Sequence, residues 1–357
     1  MLIAALYMPS TGDQRTDRQM EGRMPERIQS EAELEEILSR PRQPLVADIR
    51  DLRSPLLVLG ASGRLGPTLA LMARRAAEAA GHPLEVVAAS RFSDGQTRQW
   101  LESRGVHTIR CDFMEPEALA GLPESENVIY LVGVRYFTAE NPALTWAVNT
   151  LIPARTAERY PHARLTILSS GNVYPDVPVQ SNGSVETDPL TPVGEYGNSC
   201  VARERILEYY SQRNSTPLVF LRLSHAVELR YGVLVSIARQ VYAGEPVDVT
   251  VGYMNWIWQG DANAMILRSL ALASTPPTVL NLTGRRFSTR AVALRFGELM
   301  GRPVRFAGQE AEMALLSDTT RLRERLGEPS TSLENVLQWI AHWVMSGGRL
   351  LSRPSHP

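Results

Sequence analysis

The chain has 357 residues, 44% of them hydrophobic, and a formal net charge of −1 at pH 7, which is typical of a folded globular protein. The near-neutral charge argues against a nucleic-acid partner or an anionic membrane surface, and no apolar run approaches the ~20 residues of a membrane-spanning helix. The 37 basic residues are all arginine, which excludes any mechanism that requires lysine.

Cysteine usage indicates a reducing compartment. The chain contains only Cys111 and Cys200, so no disulfide framework is expected. The apolar start at residues 1–8 is short and no charged n-region precedes it, which argues against a signal peptide. We therefore expect a cytoplasmic protein, and we expect no metal ion.

The first 53 residues are interpreted as an N-terminal arm. Residues 1–28 are polar and arginine-rich without periodicity, which predicts disorder. Ser30 and Glu33 have the spacing of a capping box, which predicts a short helix over 32–38. We expect the arm to pack on the domain or on a partner subunit.

A glycine-rich turn follows the arm, between an apolar run at 56–59 and a helical pattern at 67–75. In a strand–turn–helix context, the first glycine permits the turn, the second lets a phosphate approach, and the third lets the helix lie against the strand. A pyrophosphate then binds the free N–H groups of the helix N-terminus. An ordinary glycine-rich turn is the less favoured alternative. The predicted cofactor-binding residues here are Gly60, Ser62, Gly63, Arg64, Leu65 and Gly66.

Predicted strands and helices then alternate along the chain. Strands are predicted at 84–89, 106–110, 127–132, 165–168 and 218–223, and helices at 94–104, 115–119, 144–159 and 197–211. This βαβ rhythm predicts an α/β fold, a Rossmann-type doubly wound parallel sheet with its ligand at the carboxyl ends of the strands. The interval 175–196 is rich in Pro, Gly, Ser and Asn and predicts a long functional loop.

Helices and short strands mix beyond about residue 228, which predicts a smaller C-terminal α/β lobe. Asp261 is expected to cap a helix over 262–273, and the aromatic cluster at 253–258 is either core or a sugar-stacking surface. The predicted division is 1–53 N-terminal arm with a short helix, 54–227 NAD(P)-binding Rossmann domain, 228–345 mainly substrate-binding lobe and 346–357 flexible tail.

The adenosine end of the predicted site lacks an acid. In dinucleotide folds, an acidic residue about 20 positions after the glycines binds the ribose 2′-hydroxyl. Here the second strand ends in Ser90 and Arg91, a hydroxyl and a guanidinium that suit a 2′-phosphate. We therefore expect NAD(P), with NADP slightly favoured over NAD and Arg64 assisting, unless both arginines are solvated. Asp112 and Phe113 close the third strand, where Asp112 either contacts adenine or caps the next helix.

The reacting end lies in two polar stretches. Ser169 and Ser170 follow the strand that begins at residue 165, and Tyr196 opens the next predicted helix. A serine hydroxyl and a tyrosine phenol that converge near a nicotinamide can bind a substrate carbonyl or alcohol and exchange its proton.

Together these motifs resemble the NAD-dependent epimerase/dehydratase family of the extended short-chain dehydrogenase/reductase superfamily. The resemblance covers roughly residues 54–345 and includes the glycine turn, Asp112, and the stretches 169–174, 196–199, 256–261 and 281–304. It implies an oxidoreductase or epimerase, a sugar or polyol-like substrate and a possible homodimer. By resemblance, Ser170 binds the reacting oxygen and Tyr196 is the acid/base. The residues implied to line the cofactor are Leu131, Val132, Gly133 and Asn149.

One position departs from the family pattern. The family's tyrosine is followed four residues later by lysine, on the same helix face, but here that position is Cys200. A thiol supplies neither the charge nor the three donors of an ammonium, and an unassisted phenol of pKa ~10 is a poor base at pH 7. Arg203, one turn further, or Arg135, after the Gly133 turn, could supply the cation, unless both are surface ion-pair residues.

The missing lysine leaves a second function open, a nicotinamide-binding sensor or scaffold that has lost catalysis. Cys200 itself is a weaker candidate catalytic residue, because no histidine is near it in sequence. His225 and Glu228 follow the strand at 218–223, where loops reach a nicotinamide, but a structural role for His225 is the favoured interpretation.

Overall fold

The computed structural model describes residues 24–134 and 140–351. Their strands, in chain order, are β1 Leu56–Leu59, β2 Val86–Ser90, β3 His107–Arg110, β4 Asn127–Tyr130, β5 Arg164–Ser170, β6 Val177–Pro178, β7 Leu218–Leu223, β8 Ala226–Val227, β9 Val247–Asp248, β10 Tyr253–Asn255, β11 Ile257–Trp258, β12 Thr278–Leu280, β13 Arg286–Ser288, β14 Phe306–Ala307 and β15 Met313–Ala314. Their α-helices are α1 Glu31–Leu38, α2 Gln43–Asp48, α3 Gly66–Ala80, α4 Gln96–Glu102, α5 Pro116–Ala120, α6 Pro142–Arg159, α7 Gly194–Asn214, α8 Val233–Ala243, α9 Gln259–Arg268, α10 Thr289–Met300, α11 Thr320–Leu326 and α12 Leu333–Met345.

Seven parallel strands form the central sheet, in the order β12–β7–β5–β4–β1–β2–β3. Every residue of β1, β2 and β4 is buried, because helices cover both faces of a parallel sheet. The strand order runs outward in both directions from β1, which makes the gap between β1 and β4 the switch point where ligands bind. The predicted doubly wound α/β fold is confirmed.

Alternate side chains of the sheet enter two different cores. Val58 packs in one cluster with Leu69 of α3 and Ile266 of α9, whereas Leu57 packs in another with Ile152 of α6 and Leu207 of α7. Successive residues of a strand point to opposite faces, so a four-residue apolar strand supplies both layers.

A third core belongs to the C-terminal region, where α8, α10 and α12 pack together. Trp258 and Trp339 pack with ring centroids 5.3 Å apart, and Trp256 is also buried, so these tryptophans of the aromatic cluster are core. The predicted cap at Asp261 is wrong. Helix α9 begins at Gln259, and the Asp261 carboxylate accepts hydrogen bonds from the Ser330 hydroxyl (3.0 Å) and the Thr331 N–H (2.9 Å) instead.

The segment before the sheet packs on the C-terminal core and on the sheet core that contains Val58. The Ser30 hydroxyl accepts from the Glu33 N–H at 3.2 Å, which confirms the predicted short helix. Residues of α1 enter the C-terminal core and residues of α2 enter the sheet core. Ile28 is fully buried and Trp339 donates to the carbonyl of Pro25 at 2.8 Å, so the prediction of disorder is wrong for residues 24–28. Residues 1–23 lie outside the described part of the chain.

The long stretch between β5 and α7 pairs with the C-terminal region. Within it, β6 forms an antiparallel ladder with β15, and the Arg286 guanidinium donates to the carbonyls of Val179 and Ser181. This stretch therefore joins the carboxyl edge of the sheet to the C-terminal lobe. Across residues 24–134 and 140–351, the helices include none long and apolar enough to span a bilayer.

Candidate functional site

The glycine turn at the end of β1 contains two glycines that are closely packed and one, Gly63, that is exposed. Gly60 has φ +82°, and a Cβ there would lie 2.9 Å from the Val132 nitrogen. A Cβ on Gly66 would lie 2.4 Å from the Ala61 carbonyl oxygen. For Gly63 the nearest atom is 3.4 Å away, the carbonyl oxygen of Gly60. Gly60 and Gly66 are thus required by the fold, whereas the outer side of Gly63 is open, as phosphate approach requires.

The adenosine side of the turn is closed by a pair of hydroxyls. Ser62 Oγ and Ser90 Oγ lie 2.6 Å apart, which ties the turn to the carboxyl end of β2. Ser90 is buried and Arg91 is exposed. The hydroxyl and the guanidinium predicted from the sequence thus lie at one edge of the sheet.

Asp112 closes a turn after β3. Its carboxylate accepts from the Met114 N–H at 3.0 Å and its carbonyl accepts from the Glu115 N–H at 3.0 Å. Glu115 is the N-cap of α5, so the interpretation of Asp112 as the helix cap is wrong. Phe113 is buried beside this turn, and the adenine contact of Asp112 stays a prediction.

The backbone after β4 lines the switch point. The Leu131 N–H donates to the Leu59 carbonyl at 2.9 Å, and Val132 lies against Gly60. The end of β4 therefore packs directly against the glycine turn.

Ser170 and Tyr196 are brought together by helix packing. The Ser170 Oγ accepts from the Asn172 N–H at 3.1 Å and caps a short 3₁₀ turn after β5. A Cβ on Gly197 would lie 2.6 Å from the Asn172 carbonyl oxygen. The first turn of α7, which contains Tyr196, thus lies directly against the turn that follows Ser170.

Arg203 is a buried cation on the same helix. Its side chain donates to the Leu168 carbonyl (Nη1, 2.9 Å) and to Asn149 Oδ1 (Nη2, 2.6 Å). Burial is the largest influence on the pKa of Arg203 and lowers it, but nearby groups that bear negative charge when ionised, Tyr196 among them, raise the pKa above its ordinary value. A Cβ on Gly133 would lie 2.7 Å from Nη2. The surface ion-pair interpretation of Arg203 is wrong; Arg135 lies outside the described residues.

Asn149 connects this cation to the turn after β4. Its Oδ1 also accepts from the Val134 N–H at 3.1 Å, and its Nδ2 donates to Ser199 Oγ at 2.9 Å. The buried amide therefore orders the turn after β4 and orients Arg203 at the same time.

Cys200, four positions after Tyr196, is fully buried. It packs in a small cluster with Val173 and Tyr174, next to the partly buried Tyr196. Arg203 also lies nearby, because the Cys200 thiol, when ionised, is the first of the charged neighbours that raise the pKa of the Arg203 guanidinium.

A buried ionic network beneath Ser170 was not predicted. Glu204 and Arg222 form a bidentate pair, with Nη2 to Oε2 at 2.7 Å and both side chains at most 5% exposed. Ser169 donates to the same carboxylate. Arg222 also donates to the Tyr174 hydroxyl at 2.6 Å, while burial raises the pKa of Tyr174 to about 12. The sequence contained one sign of this network. Glu204 lies eight positions after Tyr196, on the same helix face, which places a carboxylate on the side of α7 that faces the site.

Two other polar residues considered from the sequence lie just past β7. His225 has φ +43°, a strained conformation for a residue with a side chain. Glu228 is fully buried, and burial raises its pKa while Arg230, 3.0 Å away, opposes that effect. Among the described residues, no group of His, Cys, Asp or Glu side chains could hold a metal ion.

A glycine turn at the switch point of a doubly wound sheet, with a serine, a tyrosine and a buried cation at the carboxyl edge, defines a Rossmann-type dinucleotide-binding protein. The model of the NAD dependent epimerase/dehydratase family matches residues 56–282. The chain belongs to that family.

Solved structures with the same fold are distant in sequence. UDP-glucose 4-epimerase from Thermotoga maritima, solved with UDP-glucose, is 19% identical, with a TM-score of 0.67 over 82% of this chain and 99% of that one. UDP-glucuronic acid 4-epimerase from Bacillus cereus, solved with NAD, is 18% identical, with a TM-score of 0.68 over 82% and 96%. dTDP-glucose 4,6-dehydratase from Bacillus anthracis, solved with NAD, is 14% identical, with a TM-score of 0.68 over 82% and 97%. A comparison with curated proteins found no match.

Proposed function

We propose that this chain is an NAD(P)-dependent enzyme that oxidises, reduces or epimerises a sugar, carried as a sugar nucleotide. The main support is the contact of Gly197 with Asn172, which sets Tyr196 beside the turn after Ser170, in front of the buried Arg203. The solved relatives named above are sugar-nucleotide enzymes, which supports this class of substrate.

We infer that a nicotinamide dinucleotide binds across the carboxyl ends of β1 and β4, at the switch point of the sheet. The open side of Gly63 accommodates a pyrophosphate, while Ser90 and Arg91 favour a 2′-phosphate, and so NADP slightly over NAD. Asp112 would meet the adenine, and Leu131, Val132 and Gly133 would border the remainder. When bound, the nicotinamide accepts or returns a hydride.

Tyr196 is the proposed acid/base. Its phenol moves a proton to or from the reacting hydroxyl of the sugar, and Ser170 Oγ donates a hydrogen bond to the same oxygen. In the structure the Ser170 hydroxyl donates to Asn172 Oδ1 at 3.1 Å, so it turns its proton from that amide to the reacting oxygen when the substrate binds. Arg203 supplies the positive charge that favours a phenolate, in place of the lysine of the family.

The second candidate is a dinucleotide-binding sensor without turnover, favoured by the burial of Cys200 at the family's lysine position. The first experiment is acid release and mass spectrometry of any dinucleotide in the purified protein, followed by titration with NADH and NADPH. UDP-glucose, dTDP-glucose and UDP-glucuronic acid are then screened by proton NMR.

The enzyme proposal requires conversion of a sugar by the wild type and loss of that conversion in Tyr196→Phe and Ser170→Ala, with dinucleotide binding within about twofold of wild type. Tight dinucleotide binding without turnover of any sugar nucleotide, free sugar or polyol would establish the sensor instead. A wild type that binds neither dinucleotide would refute both.

A further inference from the structure

The arginine of the glycine turn is held by the region that follows β7. The Arg64 guanidinium carbon lies 4.7 Å from the centre of the Tyr231 ring, within the range of a cation–π contact. Tyr231 in turn donates its hydroxyl proton to Gln259 Oε1. A residue of the predicted substrate lobe thus contacts the side chain that flanks Gly63.

Gln259 fixes the other side of the same turn. The amide is fully buried, and its Nε2 donates to the Arg64 carbonyl at 3.2 Å and to Thr68 Oγ1 at 3.0 Å. Thr68 belongs to the first turn of α3. The buried side chain of Gln259 therefore connects Tyr231, the backbone of the glycine turn and the first turn of α3.

The N-terminal segment holds Tyr231 in place. Its neighbour Arg230 forms ion pairs with Glu228 at 3.0 Å and with Glu31 of α1 at 3.1 Å. Helix α1 lies before residue 56, where the family match begins. The contact that holds Arg64 is thus built partly from a segment that this chain adds to the matched region.

Ser62 and Arg64, on either side of Gly63, reach different parts of the sheet. Ser62 bonds Ser90 at the end of β2, whereas Arg64 reaches Tyr231, which follows β7 and β8. In the strand order, β2 and β7 lie on opposite sides of β1 and β4. Because the 2′-phosphate belongs at the β2 end, the guanidinium of Arg64 is directed toward the other side of the switch point.

We propose that Arg64 binds the pyrophosphate of the dinucleotide rather than its 2′-phosphate, and that Tyr231 and Gln259 are positioning residues that hold it there from the substrate lobe. A guanidinium can make bidentate hydrogen bonds to phosphate oxygens, beside a turn whose backbone offers the same ligand its N–H groups. This inference rests on the proposed function only in that a dinucleotide binds at the turn.

The test compares ligands that share only parts of the dinucleotide. Isothermal titration calorimetry would measure NADH, NADPH and ADP-ribose, which contain the pyrophosphate, and adenosine 2′-monophosphate, which has the 2′-phosphate but neither phosphate of the pyrophosphate. The variants are Arg64→Gln, Tyr231→Leu, their combination, and Tyr231→Phe, which keeps the ring. Arg91→Gln is the matched control at the β2 end. Thermal unfolding of each variant separates a loss of fold from a loss of ligand.

Arg64→Gln is expected to weaken NADH, NADPH and ADP-ribose equally, by roughly tenfold, because a charged hydrogen bond is lost, and to leave adenosine 2′-monophosphate unchanged. Tyr231→Leu should give the same pattern without a further loss in the combined variant. Tyr231→Phe, which keeps the ring but loses the bond to Gln259, should show a smaller loss of the same ligands, and Arg91→Gln should weaken NADPH and adenosine 2′-monophosphate only.

A loss confined to NADPH and adenosine 2′-monophosphate in Arg64→Gln would overturn the proposal and assign Arg64 to the 2′-phosphate. Unchanged binding in Tyr231→Leu, or fully additive losses, would overturn the positioning role. A wild type that binds no dinucleotide would defeat the proposed function as well, whereas the other adverse outcomes leave that function intact.

Discussion

Arg203 Nη2 lies 2.6 Å from Asn149 Oδ1, although 54 residues separate the two side chains in the chain. Arg203 is seven positions after Tyr196, so a cation on the tyrosine's helix face is present even though the fourth position after Tyr196 holds Cys200. The guanidinium packs directly against Gly133, in the turn after β4.

Removal of that cation should change the pH dependence of the reaction. In Arg203→Gln the limb of the rate profile that reports the ionised phenol should move to higher pH, and turnover at pH 7 should fall by about 10²-fold, because a neutral group no longer favours the phenolate. Arg203→Lys should recover part of the rate. The measurement is kcat against pH for both variants. An unchanged profile in Arg203→Gln would show that another group supplies the charge.

Two glycines of the turn should respond differently to alanine. Gly66→Ala places a Cβ 2.4 Å from a carbonyl oxygen and should cost roughly 1–3 kcal/mol of unfolding free energy. Gly63→Ala meets nothing closer than 3.4 Å, so it should unfold like the wild type yet bind NADH and NADPH at least roughly tenfold more weakly. Urea denaturation and calorimetric titration check both. Normal dinucleotide binding by Gly63→Ala would mean that the phosphate lies elsewhere.

A lysine at position 200 should not restore a family-like site. Cys200 is fully buried near the Arg203 guanidinium, so Cys200→Lys would bury an ammonium beside another cation and should lower stability by more than about 2 kcal/mol. Cys200→Ala, which only removes the sulfur, should cost about 1 kcal/mol. Thermal unfolding distinguishes the two. A stable and more active lysine variant would contradict this account.

The buried ion pair under the site should be far more sensitive than a surface pair. Glu204→Gln leaves the Arg222 charge buried without a counter-ion and should cost about 3–5 kcal/mol. Glu208→Gln, in an exposed pair with Arg205 whose side chains are 37% and 62% accessible, should cost less than about 1 kcal/mol. Equal urea midpoints for the two variants would show that the network adds no stability.

Acid should loosen the attachment of α1. Burial raises the pKa of Glu36, but hydrogen bonds from Arg40 and Arg75 outweigh it, so the pKa lies below its ordinary value of 4.5. The folded state therefore binds this proton less readily than the unfolded state, and the stabilisation is present above pH 4.5 and lost as pH falls below it. Because Glu36 is 41% exposed, Glu36→Gln should cost only about 0.5–1 kcal/mol at pH 7.

This difference between Glu36→Gln and the wild type should shrink toward zero near pH 3 in urea denaturation. Glu78→Gln, in an exposed pair on α3, is the control and should change stability little at either pH. A difference that does not depend on pH would mean that the carboxylate charge of Glu36 is not what attaches α1.

Local pattern was enough to predict several features of this chain. The glycine spacing, the apolar strand residues 56–59 and the alternation of elements predicted the doubly wound sheet, because strand burial and turn conformation depend on near neighbours. The prediction failed at Asp261. Whether this carboxylate caps its own helix or binds the loop at 330–331 depends on a segment some 70 residues away in the chain.

By itself the sequence determined that no lysine exists, that Cys200 lies four positions after Tyr196, and that a pair of serines closes a predicted strand while Tyr196 opens the next predicted helix. Tertiary structure alone decided that Arg203 is buried against Asn149, that Glu204 pairs with Arg222, and that Arg64 reaches Tyr231. The reason is physical. A sequence does not distinguish a solvated arginine from a buried one, because the partners of an arginine are fixed only when helices and strands distant in the chain pack together.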